Sequence, residues 1–163
     1  MKTDEALRAA VGEALVAAGL TVGLAESCTG GLICSQMTDL PGSSTYLLGA
    51  IVAYSHQARE QHLGVRGETL MAFGAVSEEV ALEMARGARR AFHSDLGVAV
   101  TGIAGPGGGT REKPVGLAYI ALSAADAEVC ERHVWQGGSR VENRYRSAGA
   151  AFRLISSYLN RPD

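Results

Sequence analysis

Ser27, Cys28 and Thr29 stand side by side in AESCTGG, residues 25–31, between the apolar run LTVGLA and a glycine pair. A hydroxyl or thiol placed where a buried strand gives way to a helix suits attack on a carbonyl, because nearby amide N–H groups can hold the oxyanion. Ser27 is the nucleophile expected on that ground, whereas Thr29 also suits a helix cap. Cys28 is the stronger nucleophile in isolation. Two arguments set it aside: neighbours on an extended segment point to opposite sides, and Glu26 raises a nearby thiol pKa by like-charge repulsion. A second loop, TGIAGPGGGTREKPVG from Thr101 to Gly116, is equally rich in glycine. Neither loop is a phosphate-binding Walker sequence or a dinucleotide fingerprint, which disfavours nucleoside triphosphate hydrolysis. Read blandly, these glycines make tight turns. Two such loops on strands of one sheet can also face one pocket.

The elements that must hold these loops follow from periodicity and punctuation. Thr3 and Asp4 precede a helix whose face carries Leu7, Val11 and Leu15, and Gly19 ends it. Residues 20–25 read as a buried strand, 30–38 as a helix stopped by the Leu40 to Ser44 turn, and 46–54, continuously apolar, as a central strand. Short helices are expected at 56–63 and 68–73. Ser77 opens a helix to about Ala91 with Val80, Ala81, Met84 and Ala88 inward. Strands at 96–101, 115–124 and 128–135 follow, the last of edge character, and residues 139–159 form a closing helix. The expected fold is α/β, a three-layer α/β/α domain over residues 1–163 with a mixed central sheet, its last two strands antiparallel across the Asp126 turn.

Composition narrows the partners. Fifteen Lys and Arg against seventeen Asp and Glu give a net charge of −2, which offers no general field for nucleic acid or an anionic membrane. A small-molecule partner is expected instead. The three Cys include no C-x-x-C pair, and His56, His62, His93 and His133 lack carboxylates at ligand spacing, so neither a metal nor a cofactor is expected. The acidic start MKTDEALRAA is unlike a signal peptide, and no apolar run approaches the roughly 20 residues of a membrane span. The expectation is a cytoplasmic protein, and alanine-rich helices at 12–18 and 81–91 suggest packing between subunits of a homo-oligomer.

AESCTGG, TDLPGSSTYLLGAIVAYS and TGIAGPGGGTREKPVG, with Gly138, Arg140 and Arg144 beyond them, resemble the signature regions of the CinA C-terminal-domain family. The resemblance implies a domain that hydrolyses the carboxamide of nicotinamide mononucleotide to nicotinate mononucleotide and ammonia. It also implies a stand-alone form, without the molybdopterin-binding-like domain of many relatives. On this resemblance the nucleophile is Ser27, Tyr54 orients the site, and Arg59 occupies the position of the catalytic base. Thr101 then donates to the substrate, beside Thr29 and Gly102. Amides of Gly30, Gly31 and the loop from Gly105 cradle the phosphate, with Arg140 or Arg144 as its cation.

The chain departs from that pattern at its chemical centre. Where the family has Y-S-N-x-x-K, with Lys as general base, this sequence reads YSHQAR: His56 replaces Asn and Arg59 replaces Lys. Arginine does not deprotonate a hydroxyl at neutral pH. Gly107 and Ser139 stand where the family carries Asp. Three explanations compete. Another group such as His56 activates Ser27, the domain binds the nucleotide without efficient hydrolysis, or the reaction differs.

Overall fold

Side-chain caps and left-handed glycines set the helix boundaries of the computed structural model, which describes residues 4–162. In chain order the elements are α1 (Glu5–Ala18), β1 (Val22–Glu26), α2 (Leu32–Thr38), a 3-10 turn (Ser43–Thr45), β2 (Leu47–Val52), α3 (His56–Leu63) and α4 (Gly67–Phe73). Then come α5 (Glu78–Phe92), β3 (Leu96–Gly102), β4 (Leu117–Ser123), β5 (Glu128–Val134) and α6 (Arg140–Leu159). Asp4 accepts from the amides of Ala6 and Leu7, and Gly19 closes α1 in the left-handed conformation. Thr3, the other expected cap, lies outside the described residues. Ser77 caps α5, and Ser139 opens α6 through a reciprocal capping box with Glu142. The cap therefore accounts for the serine at position 139.

The strands form one mixed sheet in the order β2-β1-β3-β4-β5. β1 runs parallel to both β2 and β3, while β4 and β5 add antiparallel. Alternation along the strands gives the two faces different textures. Val22, Leu24, Leu96, Val98, Val100, Ile120 and Leu122 point to the face covered by α1, α2 and α6. Ala25, Ala99 and Ala121 point to the other, where α5 brings Ala81, Ala85 and Ala88 and α3 brings Leu63. Three layers result, as expected. Ala81, Ala85 and Ala88 of α5 are buried inside this chain's own core.

One expectation fails. The continuous apolar run at 46–54 does not make a central strand: β2 is an edge, with Leu48 and Val52 exposed at 44% and 49%. A run of apolar residues records that a strand lacks polar side chains, not that a neighbour lies on each side.

The small face lets α5 sit unusually close to the sheet. A Cβ on Gly97 of β3 would lie 2.0 Å from the carbonyl oxygen of Ala85, and one on Gly87 of α5 would lie 2.0 Å from that of Leu63. Both obstacles are backbone, so no side-chain rotation relieves them. Gly97→Ala should destabilise the protein by about 3 kcal/mol, the upper end of overpacking costs. Urea unfolding should show this as a lower midpoint with an unchanged slope.

Candidate active site

The connection from β1 to β2 runs through α2 on one face, and that from β2 to β3 returns through α3, α4 and α5 on the other. Such a reversal opens a crevice beyond the carboxyl ends of the two diverging strands, here β1 and β3. Ser27 and Cys28 leave β1 into this crevice, and Gly102 to Gly108 leave β3. With Tyr54, Ser55, His56, Arg59, Ala75 and Arg140 they enclose about 360 Å³. The two glycine-rich loops thus share one cavity. A larger groove of about 620 Å³, between α1 and residues 40–46, has Glu13 as its one charged lining residue and no grouping of reactive side chains.

Glu26 fixes the first loop. It continues the parity of Val22 and Leu24, so its carboxylate emerges on the α2 face, where it is fully buried. Its Oε2 accepts from the amides of Gly31 and Ile33 at 3.0 and 3.2 Å, and its Oε1 from that of Cys34 at 2.9 Å. A carboxylate at a helix N-terminus meets both the unpaired amides and the positive end of the dipole. The cap of α2 is therefore Glu26, and not Thr29 as its residue type suggests.

Several expected substrate contacts point elsewhere as a result. Gly30 donates to the Ser27 carbonyl and Gly31 to Glu26, so neither amide is free, and neither residue lines the cavity. Thr29 is wholly buried, and its hydroxyl has no hydrogen-bond partner among the described residues. Thr101 is buried too and donates to the carbonyl of Ala75 at 2.8 Å, bracing a cavity wall from behind. Gly102, Gly105, Tyr54 and Arg140 do line the cavity.

Ser27 and Cys28 both border the cavity, contrary to the alternation argument, because residues 27–31 form a turn and not an extended segment. Chemistry separates them instead. Burial, followed by the repulsion of Glu26, pushes the Cys28 thiol up to about 11, so it stays protonated near neutrality. The Ser27 hydroxyl accepts a hydrogen bond from Nη2 of Arg59 at 2.9 Å, while Nη1 of the same guanidinium holds the Tyr54 carbonyl at 3.2 Å. Burial lowers the pKa of Arg59, yet a guanidinium in a protein keeps its proton. His56 begins α3 at the exposed rim of the cavity, and no hydrogen bond joins it to Ser27. In the 27–31 turn the amides of Cys28 and Thr29 carry no backbone partner among the described residues.

The last helix closes the site with one polar stripe. Arg140, Asn143, Arg144 and Ser147 recur at helical spacing, on the side of α6 that meets both loops. Arg140 donates to the Gly105 carbonyl at 2.8 Å. Asn143, buried, donates to the carbonyls of Ala104 and Gly138. Arg144 donates to those of Cys28 and Thr29 at 3.1 and 2.9 Å, so it clamps the 27–31 turn, and it does not line the cavity. Ser147 accepts from the indole of Trp135. The roles of Glu26 and Asn143 escaped the sequence reading. An acid just ahead of a helix and a polar residue between two arginines of one stripe were the available signals. Among the described residues no group of three or more His, Cys, Asp or Glu is placed to hold a metal ion, and no helix is long and apolar enough to cross a membrane.

Residues 4–159 match the family model of the CinA C-terminal domain. A relative from Desulforudis audaxviator, carrying a competence-damage inducible name, is 48% identical over 158 residues; the match covers 97% of this chain and 38% of that protein. The chain thus spans well under half the length of such curated relatives. Among solved structures, the competence/damage inducible protein CihA from Agrobacterium tumefaciens superposes with a TM-score of 0.92 at 40% identity, over 96% of this chain and 95% of that one. A competence damage-inducible protein A from Klebsiella pneumoniae gives 0.93 at 29% identity, with 100% of both chains covered.

The buried carboxylate yields a direct test. Glu26→Ala strips three amides of their acceptor, and each unsatisfied buried donor costs about 1–3 kcal/mol. The variant should lose about 3 kcal/mol or more in urea unfolding, and proteolysis should cut first in the 27–34 segment.

Proposed function

The chain belongs to the CinA C-terminal domain family, and from that premise we propose that it hydrolyses the carboxamide of nicotinamide mononucleotide with Ser27 as nucleophile. The observation that carries this reading is the Ser27 hydroxyl held at 2.9 Å by the Arg59 guanidinium inside the shared cavity. A cation that donates to a hydroxyl oxygen stabilises the alkoxide over the neutral form and lowers the pKa of the group. Arg59 thus favours ionisation of Ser27 without accepting its proton, which leaves to solvent. The alkoxide attacks the carboxamide carbon, and the amides of Cys28 and Thr29 are the loop donors available to the oxyanion. Collapse expels ammonia, protonated by solvent, and water then cleaves the acyl ester to give the carboxylate and restore Ser27. Arg140 spends one arm on Gly105 and offers the rest of its fork to the phosphate. Cytoplasmic placement and assembly as a homo-oligomer remain part of the same proposal.

A second reading rests on the same contact. Among the described residues the one side-chain partner of Ser27 is a permanent donor, so a nucleotide-binding or regulatory module with little turnover also suits the cavity. Ammonia release from nicotinamide mononucleotide separates the two. On the amidase reading Ser27→Ala abolishes release and Cys28→Ala keeps most of it. The wild-type rate climbs with pH through neutrality, since hydroxide takes the serine proton. Arg59→Lys should raise the rate near pH 7 by about 10²–10⁴-fold, the usual contribution of a general base, and level the profile, because burial can bring an amine into range. No ammonia from the wild type or from Arg59→Lys, with calorimetric binding of the mononucleotide intact, selects the binding module.

A further inference from the structure

Arg59 is a buried charge without a counter-charge. It is 4% exposed, its two hydrogen-bond acceptors are the neutral Tyr54 carbonyl and Ser27 hydroxyl, and its Nε has no partner. Among the described residues it forms no ion pair with any Asp or Glu. The acid of the same loop, Glu26, spends both oxygens on the amides of α2. Arg140, also on the cavity wall, likewise meets only a carbonyl, and no carboxylate lines the space. Burying an unmatched charge is costly, and the cost falls when an anion enters.

We propose that Arg59 makes the Ser27 end of the cavity a carboxylate site, so that the acid released by hydrolysis is held more tightly than the amide it came from. This rests on the pyridine-nucleotide reading of the same cavity. A carboxylate is acceptor-only and charged, and it matches the fork of a guanidinium in a charge-assisted pair. A carboxamide offers one neutral carbonyl oxygen, and its NH2 group brings donors toward donors. With a phosphate at Arg140 and a carboxylate at Arg59, both unmatched cations lining the cavity are answered. Accumulated acid then competes with the amide for the cavity and restrains the site.

Calorimetric titration with the two mononucleotides tests this in Ser27→Ala, which removes turnover, and again in Ser27→Ala/Arg59→Gln. In the first protein nicotinate mononucleotide should bind roughly 10- to 100-fold more tightly than nicotinamide mononucleotide, the range for a hydrogen bond to a charged group. In the second that preference should vanish. Ser27→Ala/Arg59→Lys, which keeps the charge, should retain part of it and covers the case of a glutamine variant that does not fold. Equal affinities in the first protein, or a preference that survives in the glutamine variant, overturn the proposal. If neither nucleotide binds, the nucleotide reading fails, and sodium formate decides the carboxylate site by itself. Displacement of the Arg59 guanidinium resonances relative to sodium chloride at equal ionic strength supports it, and unmoved resonances overturn it.

Discussion

The buried carboxylate of Glu26 is the constraint on which the site depends. It ends β1, yet its hydrogen bonds belong to α2, so strand and helix are joined by side chain as well as by main chain. A charge fully removed from water persists only where dipoles or opposite charges answer it, and here the first amides of α2 do so. That fixes the intervening turn, with Gly30 and Gly31 both at positive φ, and delivers Ser27 to the cavity. Ser27 is the proposed nucleophile, and a nucleophile must be held to within a fraction of an ångström to act. In this chain an acid on the far side of the loop supplies that rigidity.

The sheet contributes an asymmetry. Large aliphatic side chains fill the face toward α1, α2 and α6, whereas Ala25, Ala99 and Ala121 leave α5 almost on the backbone of the other. The two faces meet at the cavity. One wall comes from the turn that Glu26 and Arg144 hold, the other from α3, whose buried Arg59 reaches across to Ser27. The cavity is therefore polar and cationic at the boundary between two apolar cores, which favours small anionic ligands without requiring a basic surface.

Much of this was legible in the residues. Caps such as Asp4 and Ser77 act locally, and so does the apolar run that marks the strand at 96–101, so both survive into three dimensions. The convergence of the two glycine-rich loops was legible as well, because it follows from their attachment to strands of one sheet. Position within the sheet was not: Leu48 and Val52 are as apolar as central residues although they sit on an edge. Nor was the direction of Thr29 and Thr101, both of which are buried, with the Thr101 hydroxyl turned to the Ala75 carbonyl. Their residue type suits donation to a substrate equally well. The position of Arg59 could be read as a break in a motif, but its lack of a counter-charge became visible only when the acids were placed.

Because Arg144 reaches back to the carbonyls of Cys28 and Thr29, and Asn143 to that of Ala104, both cavity loops are held by α6, more than a hundred residues beyond the first of them. Contacts so distant along the chain close late and slowly. A nascent polypeptide emerging from the ribosome as far as β5 already contains every strand of the sheet and the residues Ser27 and Arg59. It lacks the stripe that clamps them. The order of synthesis thus leaves Ser27 and Arg59 without that clamp until α6 has formed.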